Sequence, residues 1–259
     1  MKNYVVTAQL SATRAFDGGV LYILSGYILR WVRLIVMLLL WRSLAEQGAD
    51  LGGFSVQQLL LYTMFSSVFR EQLNIVTPII DSFWDGSLIS RYLRPTPVLR
   101  QLMAETAGTW IPGLLLYSLP MLLVSAVMGM DLVSLFHNGP LFLTSLGLSI
   151  SLGFAMDFLF GAMVIHLKNA NYTAYVIRQA IVTLLSGALI PFALMPWGLE
   201  KLLTLLPFGS VTSAPLLIIV GTDNTLSLLG LQLFWNLILW PLALKAFKSS
   251  QERMVSYGG

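Results

Sequence analysis

The sequence predicts an all-α polytopic membrane protein, and three observations carry that expectation. Of 259 residues, 56% are hydrophobic and 10% charged, with a mean hydropathy of +0.78; a soluble domain carries about 25% charged residues. Apolar stretches near the ~20 residues that a bilayer demands recur along the chain. Lysine and arginine gather on one side of those stretches, as they do at the cytoplasmic face of membrane proteins. The expectation is a single transmembrane domain over residues 1–259 with six transmembrane helices. Added to these are an amphipathic N-terminal helix, an amphipathic cytoplasmic segment and a re-entrant extracellular hairpin before the last span.

Residues 1–20 intersperse Val5, Val6, Leu10 and Phe16 with Lys2, Gln9, Arg14 and Asp17. That mixture suits a helix lying on the cytoplasmic surface; a frayed terminus is the alternative. The first span is expected over residues 22–44 and carries Arg30 and Arg33. A charge at the bilayer centre costs roughly 2.5–3.5 kcal/mol on insertion scales, so both must snorkel or find partners. The second span is expected over residues 55–76.

Residues 78–94 form the long polar insertion in an otherwise apolar chain. Read as one helix, they put Ile80, Phe83, Trp84 and Leu88 on one side, with Ser82 and Gly86 opposite. Asp81 and Asp85 flank that stripe and Arg91 falls within it. The acids stand near the start, and Arg91 and Arg94 near the end, the order that a helix dipole favours. Pro78 can begin this helix and Pro95 stops it.

The third span is expected over residues 105–128, with Pro112 and Pro120 inside; membrane helices tolerate proline where neighbours satisfy the freed carbonyls. The fourth is expected over 140–167, the fifth over 175–193 and the sixth over 226–244. Between the last two, residues 196–223 hold two short apolar pieces, 199–206 and 211–220, interrupted by Pro207, Gly209 and Pro215. Neither piece reaches the ~18 residues of a span, so both read as re-entrant or interfacial helices.

With both termini inside, Lys2, Arg14, Arg70, Arg91, Arg94, Arg100, Lys168, Arg178, Lys245, Lys248 and Arg253 fall on the cytoplasmic side. Arg42 and Lys201 fall outside, with the acids Glu46, Asp50, Asp131, Glu200 and Asp223. That bias sets the orientation.

Several chemistries are excluded or unsupported. No cysteine is available for disulfides, thiol catalysis or metal ligation. His137 and His166 fall on opposite faces, and there is no HExxH and no GxSxG, so neither a catalytic residue nor a metal site is expected. No lysine follows a glycine, which rules out a Walker A loop. The net charge of +3 gives no sign of nucleic acid. The first apolar run begins near Val20, too late for a cleavable signal and without a small-residue cleavage pattern.

Asp157 lies near the middle of the fourth span. It belongs to a ridge of mostly small residues at i, i+4 spacing: Ser145, Ser149, Gly153, Asp157 and Gly161. Such a ridge permits close helix packing with Asp157 satisfied by a neighbour; the alternative is that an intramembrane acid lines a polar passage. Arg30, Arg33 and Asp157 are the candidate pathway residues. Counting at about 1.5 Å per residue sets Arg33 and Asp157 at similar depth, so an Arg33–Asp157 pair is expected.

DGSLISRYLRP (residues 85–95) is similar to the glycine–aliphatic–Leu–Arg–Pro ending of the coupling segment in type-2 ABC exporters. SGALIPFALMPWGLEKLLTLLPFGSVTSAPLLIIVG (residues 186–221) is similar to that family's small–Gly, Pro, Leu-Pro-Phe and Pro…Gly pattern. The chain resembles the membrane permease subunit of a bacterial type-2 ABC exporter, in particular its small six-span branch. The resemblance implies a non-catalytic transport subunit in the cell inner membrane. It implies a second permease chain, identical or related, set in membrane lipid. It also implies separate ABC ATPase subunits that hold ATP and magnesium, docked on a coupling helix at residues 78–94. Asp81, Phe83, Trp84, Asp85, Arg91 and Arg94 are then the candidates for ATPase coupling. The 196–223 hairpin would cap the outer side, or serve as a structural plug. Two rivals stand beside this reading. One is an ion-coupled secondary carrier using Asp157, which predicts inverted repeats that the sequence does not display convincingly. The other is a non-transport assembly or sensory partner.

Overall fold

The computed structural model describes residues 2–14, 16–17, 19–127, 133–166, 171–222 and 224–258. Every regular element among them is helical. The expected ends of the third and fourth spans, Met128 and Leu167, lie outside the described residues, as do Asp131, Lys168 and Asp223.

The chain opens with α1 (Lys2–Arg14), then α2 (Val20–Glu46). Glycines close α2 at both ends: Gly19 precedes it at φ 86° and Gly48 follows at φ 72°, a backbone that side-chain-bearing residues avoid. α3 (Val56–Val68) starts at a capping box, with the Ser55 hydroxyl accepting from the Gln58 amide at 3.2 Å and the Gln58 side chain accepting from Ser55 N at 2.9 Å. After Phe69 comes the short α4 (Arg70–Leu73). The expected second span is therefore interrupted, and remote side chains satisfy the carbonyls freed there. Ser118 Oγ donates to Val68 O at 2.7 Å, Thr212 Oγ1 donates to Leu73 O at 3.0 Å, and Arg178 donates to Ile75 O. Those bonds let a helix break persist where water is scarce.

Two short helices follow, α5 (Ile79–Trp84) and α6 (Ser87–Tyr92). The single amphipathic helix expected over 78–94 does not form. Gly86 sits between them at φ 74°, a left-handed residue that ends one helix and starts the next. The helical phase resets there, so the expected stripe is broken. Ile79, Ser82, Leu88 and Arg91 turn inward while Trp84 turns out.

α7 (Val98–Gly113) runs through a π-helical turn, Leu114–Ser118, into α8 (Leu119–Val127). The wide turn falls between Pro112 and Pro120, whose rings crowd the carbonyls four residues back. α1 lies along α7 so closely that a Cβ on Gly108 would come within 2.2 Å of Ala8 O. Val5, Val6 and Leu10 face away from that contact and are exposed.

α9 (Val133–His166) is the central helix, packed by α12 (Pro207–Val220), α13 (Thr225–Gly258), α4 and α5. The small-residue ridge on α9 does what its spacing predicts. Gly153 meets Ile75 and Gly161 meets Ile79, where a Cβ would stand 3.0 and 2.7 Å from the isoleucine side chains. Ser145 and Ser149 are bridged by the buried Gln232 amide of α13 at 2.9 Å each. The same amide donates to Ser210 O of α12 at 2.8 Å, tying three helices together.

α10 (Asn171–Leu185) stops short of the expected Ala193, because Gly187 at φ 74° turns the chain against the Phe192 ring. Tyr62 and Ser66 of α3 hold that turn, donating to Gly187 O at 2.8 Å and Ala188 O at 2.7 Å. α11 (Leu199–Leu205) and α12 then meet at 98°, broken before Pro207. Four described helices are long and apolar enough to cross a membrane, or five if this bent pair counts as one span. They are Leu24–Glu46, Val98–Ser125, His137–Val164 and Thr225–Ser250.

Candidate coupling surface and intramembrane polar cluster

The linker at residues 74–78 leads into α5 and is clamped by a buried ion pair. Asp157 Oδ1 lies 2.8 Å from the Arg178 guanidinium, with both side chains almost fully buried. Asp157 Oδ2 accepts from Thr77 N at 2.9 Å, and Arg178 donates to Ile75 O. One carboxylate and one guanidinium thus join α9, α10 and the linker. The expected Arg33–Asp157 pair does not form. Arg178 of α10 takes the acid, while Arg33 lines a separate cavity that does not include Asp157.

Beyond the linker, α5, α6 and the turns that follow each leave Asp81, Trp84, Asp85, Ile89, Leu93 and Arg94 exposed. Leu93 is 85% and Trp84 64% exposed, among charged neighbours. Asp85 accepts from Ser87 N at 2.7 Å. Its hydrogen bonds with Ser87 hold the carboxyl below the ordinary aspartate range, with Arg91 adding a smaller electrostatic pull, so Asp85 is ionised at neutral pH. Phe83 is half-buried and packs on the core beside Ile80.

Arg91 differs from the other expected coupling residues. It is buried, and its guanidinium meets Glu105 of α7 at 2.6 Å. Gln101 donates to Arg91 O at 3.0 Å and to Thr96 O at 2.7 Å, fastening the exit of α6 to α7. Arg91 therefore positions the surface rather than forming part of it.

A cavity of about 170 Å³ opens between α2, the α3–α4 break and α10. Arg30, Arg33 and Arg70 line it together with Ser67, Asn74 and Gln179. Arg30 pairs with Glu71 at 2.7 Å and lies over the Tyr27 and Tyr117 rings at 5.4 and 5.9 Å. The structure thus brings Arg30 and Arg33 together and leaves Asp157 in a separate network.

Sequence reasoning missed Arg178, Glu71, Glu105 and Arg70 as members of these clusters. One signal was available: Glu71 and Glu105 stand beside or within apolar stretches where an acid needs a cationic partner. Arg178 gave none, because it lies within the polar stretch at residues 166–179, which overlaps the start of the fifth expected span.

A family model described as ABC-2 family transporter protein matches residues 31–258. The chain belongs to that family. The match begins within α2 and runs through α13, taking in the linker, α5, α6 and the bent α11–α12 pair. No curated protein and no solved structure matches the chain. As an ABC-2 permease subunit it is a membrane-embedded, multi-pass transport component, of a kind that works with ABC ATPases. The inward clamp and the outward α5–α6 face belong to that transport subunit.

Proposed function

We propose that this ABC-2 permease is one half of the translocation unit of an ATP-driven exporter. A second permease chain, identical or related, completes the unit. Separate ATPase subunits bind ATP and magnesium and dock on α5 and α6. The chain crosses the cell inner membrane six times with both termini in the cytoplasm: α3 with α4, and α10, supply the spans beyond the four long helices. The bent α11–α12 pair is a re-entrant hairpin on the outer side.

One observation carries this reading. The exposed Asp81, Trp84, Asp85, Leu93 and Arg94 face is mounted on a linker bonded directly to two helices of the bundle. An ATPase that grips the face moves α5 and α6, and the Asp157–Arg178 clamp passes that displacement to α9 and α10. Bundles with two packings convert such a push into alternate access. The buried Arg91–Glu105 pair keeps α6 fixed to α7, so the two short helices move with the bundle.

Site-specific cross-linking tests the proposal. A photoreactive residue at Trp84 or Leu93 should capture the co-expressed ATPase in intact cells. One at exposed Leu226, on the opposite side of the proposed topology, should not. Labelling of Asp85→Cys by an impermeant reagent from outside the cell would overturn the topology and the docking site together.

A further inference from the structure

We propose that the cavity between α2 and α10 binds the phosphate headgroup of an anionic amphiphile, through Arg30, Arg33 and Arg70. The inference rests on the permease reading and specifies the chemistry of what its pathway accepts.

The charge balance is the first argument. Three guanidiniums line the cavity, and the ion pair at its edge supplies one acid, Glu71. Among the described residues, neither Arg33 nor Arg70 has an acid within ion-pair distance. All three line the same cavity of about 170 Å³, where Arg30 and Arg33 both act on Arg70 as like charges. Like charges held together inside a bilayer call for counter-ions, and the described residues supply one acid for three cations.

Position is the second argument. Arg30 and Arg33 stand roughly 9 and 14 Å along α2 from Leu24, inside the apolar window of that helix. α2 leans on α3, while α10 leans on α9 and α12, and the cavity occupies the wedge between them. A headgroup can reach the arginines through that wedge while its tail remains beside the exposed apolar flanks of α2 and α10, among them Val36 and Leu184.

The donor set is the third. Guanidinium forks match phosphate oxygens in pairs. Thr183 and Gln179 add a hydroxyl and an amide to the same wall. A zwitterion or a sugar would leave the excess positive charge uncompensated.

The test uses the full chain in a neutral maltoside detergent, titrated by calorimetry with dodecyl phosphate and, separately, with dodecanol. Saturable binding of the phosphate alone is expected. Arg33→Gln and Arg70→Gln should each weaken it by about tenfold, the usual scale of a charge-assisted bond. Glu71→Gln should tighten it by releasing Arg30, a direction that general misfolding cannot produce. Equal binding by the two amphiphiles, or wild-type affinity in both arginine variants, overturns the site.

Two arms separate the sources of such a phosphate. Phosphatidylglycerol retained on the purified chain in native mass spectrometry identifies a resident membrane lipid. ATPase stimulation of the whole complex by dodecyl phosphate, in a bilayer free of anionic lipid, identifies a cargo. Absence of dodecyl phosphate binding from a chain that still cross-links to its ATPase removes the anion site and leaves the permease reading standing. The reverse result removes the permease reading alone.

Discussion

The Asp157 carboxylate meets the Arg178 guanidinium at 2.8 Å, deep between α9 and α10, and both hold the backbone of the linker that leads to α5. Removing either partner strands a buried charge, which costs about 3–5 kcal/mol. Asp157→Asn or Arg178→Gln should therefore lower the thermal midpoint of the detergent-solubilised protein clearly. The double variant should be less destabilised than the two single losses added together, because neither charge is then left alone. Strict additivity in unfolding measurements would deny the coupling.

The exposed and buried members of the α5–α6 segment should separate cleanly. Asp85→Lys with Arg94→Glu changes solvent-facing charge and one exposed turn bond, so the thermal midpoint should move far less than in Arg91→Glu while ATPase stimulation falls. Arg91→Glu places a second carboxylate beside Glu105 and should cost several kcal/mol, on the order of a broken buried pair. Parallel unfolding and ATPase measurements on the variants distinguish the two roles.

Asp85 also sets a pH signature. Its carboxyl is depressed by Ser87, so its contribution to the turn is present above the ordinary aspartate value of about 4. That contribution is lost as pH falls through the lower folded value. Asp85→Asn should abolish that acid-side change, and hydrogen exchange at the Ser87 amide reads it.

α1 docks on α7 through a contact that only glycine permits. A Cβ at Gly108 would overlap Ala8 O at 2.2 Å. Gly108→Val should displace α1, at about 1–3 kcal/mol for overpacking, and expose the α1–α7 seam to proteolysis. Gly147→Val on α9 meets nothing within 4 Å and should leave that seam protected.

Gln232 tests the polar joint among α9, α12 and α13. Its amide serves Ser145, Ser149 and Ser210 O from a site without water access. Gln232→Leu should destabilise by about 1–3 kcal/mol through unsatisfied partners, whereas Gln232→Glu should cost more by adding a buried charge. Equal midpoints for the two variants would show that the joint is open to solvent.

Sequence alone determined that the chain is an all-helical membrane protein, where its polar segment lies, and that α9 would take close neighbours at Gly153 and Gly161. Composition, apolar run length and residue spacing act locally and nearly additively, so they are legible in one dimension. Tertiary structure decided the rest. The second expected span breaks at Phe69 and ends after Leu73, where Ser118, Thr212 and Arg178, distant in sequence, donate to the carbonyls of Val68, Leu73 and Ile75. Asp157 pairs with Arg178 and not with Arg33, because helix depth sets which charges are level while helix packing sets which ones face each other.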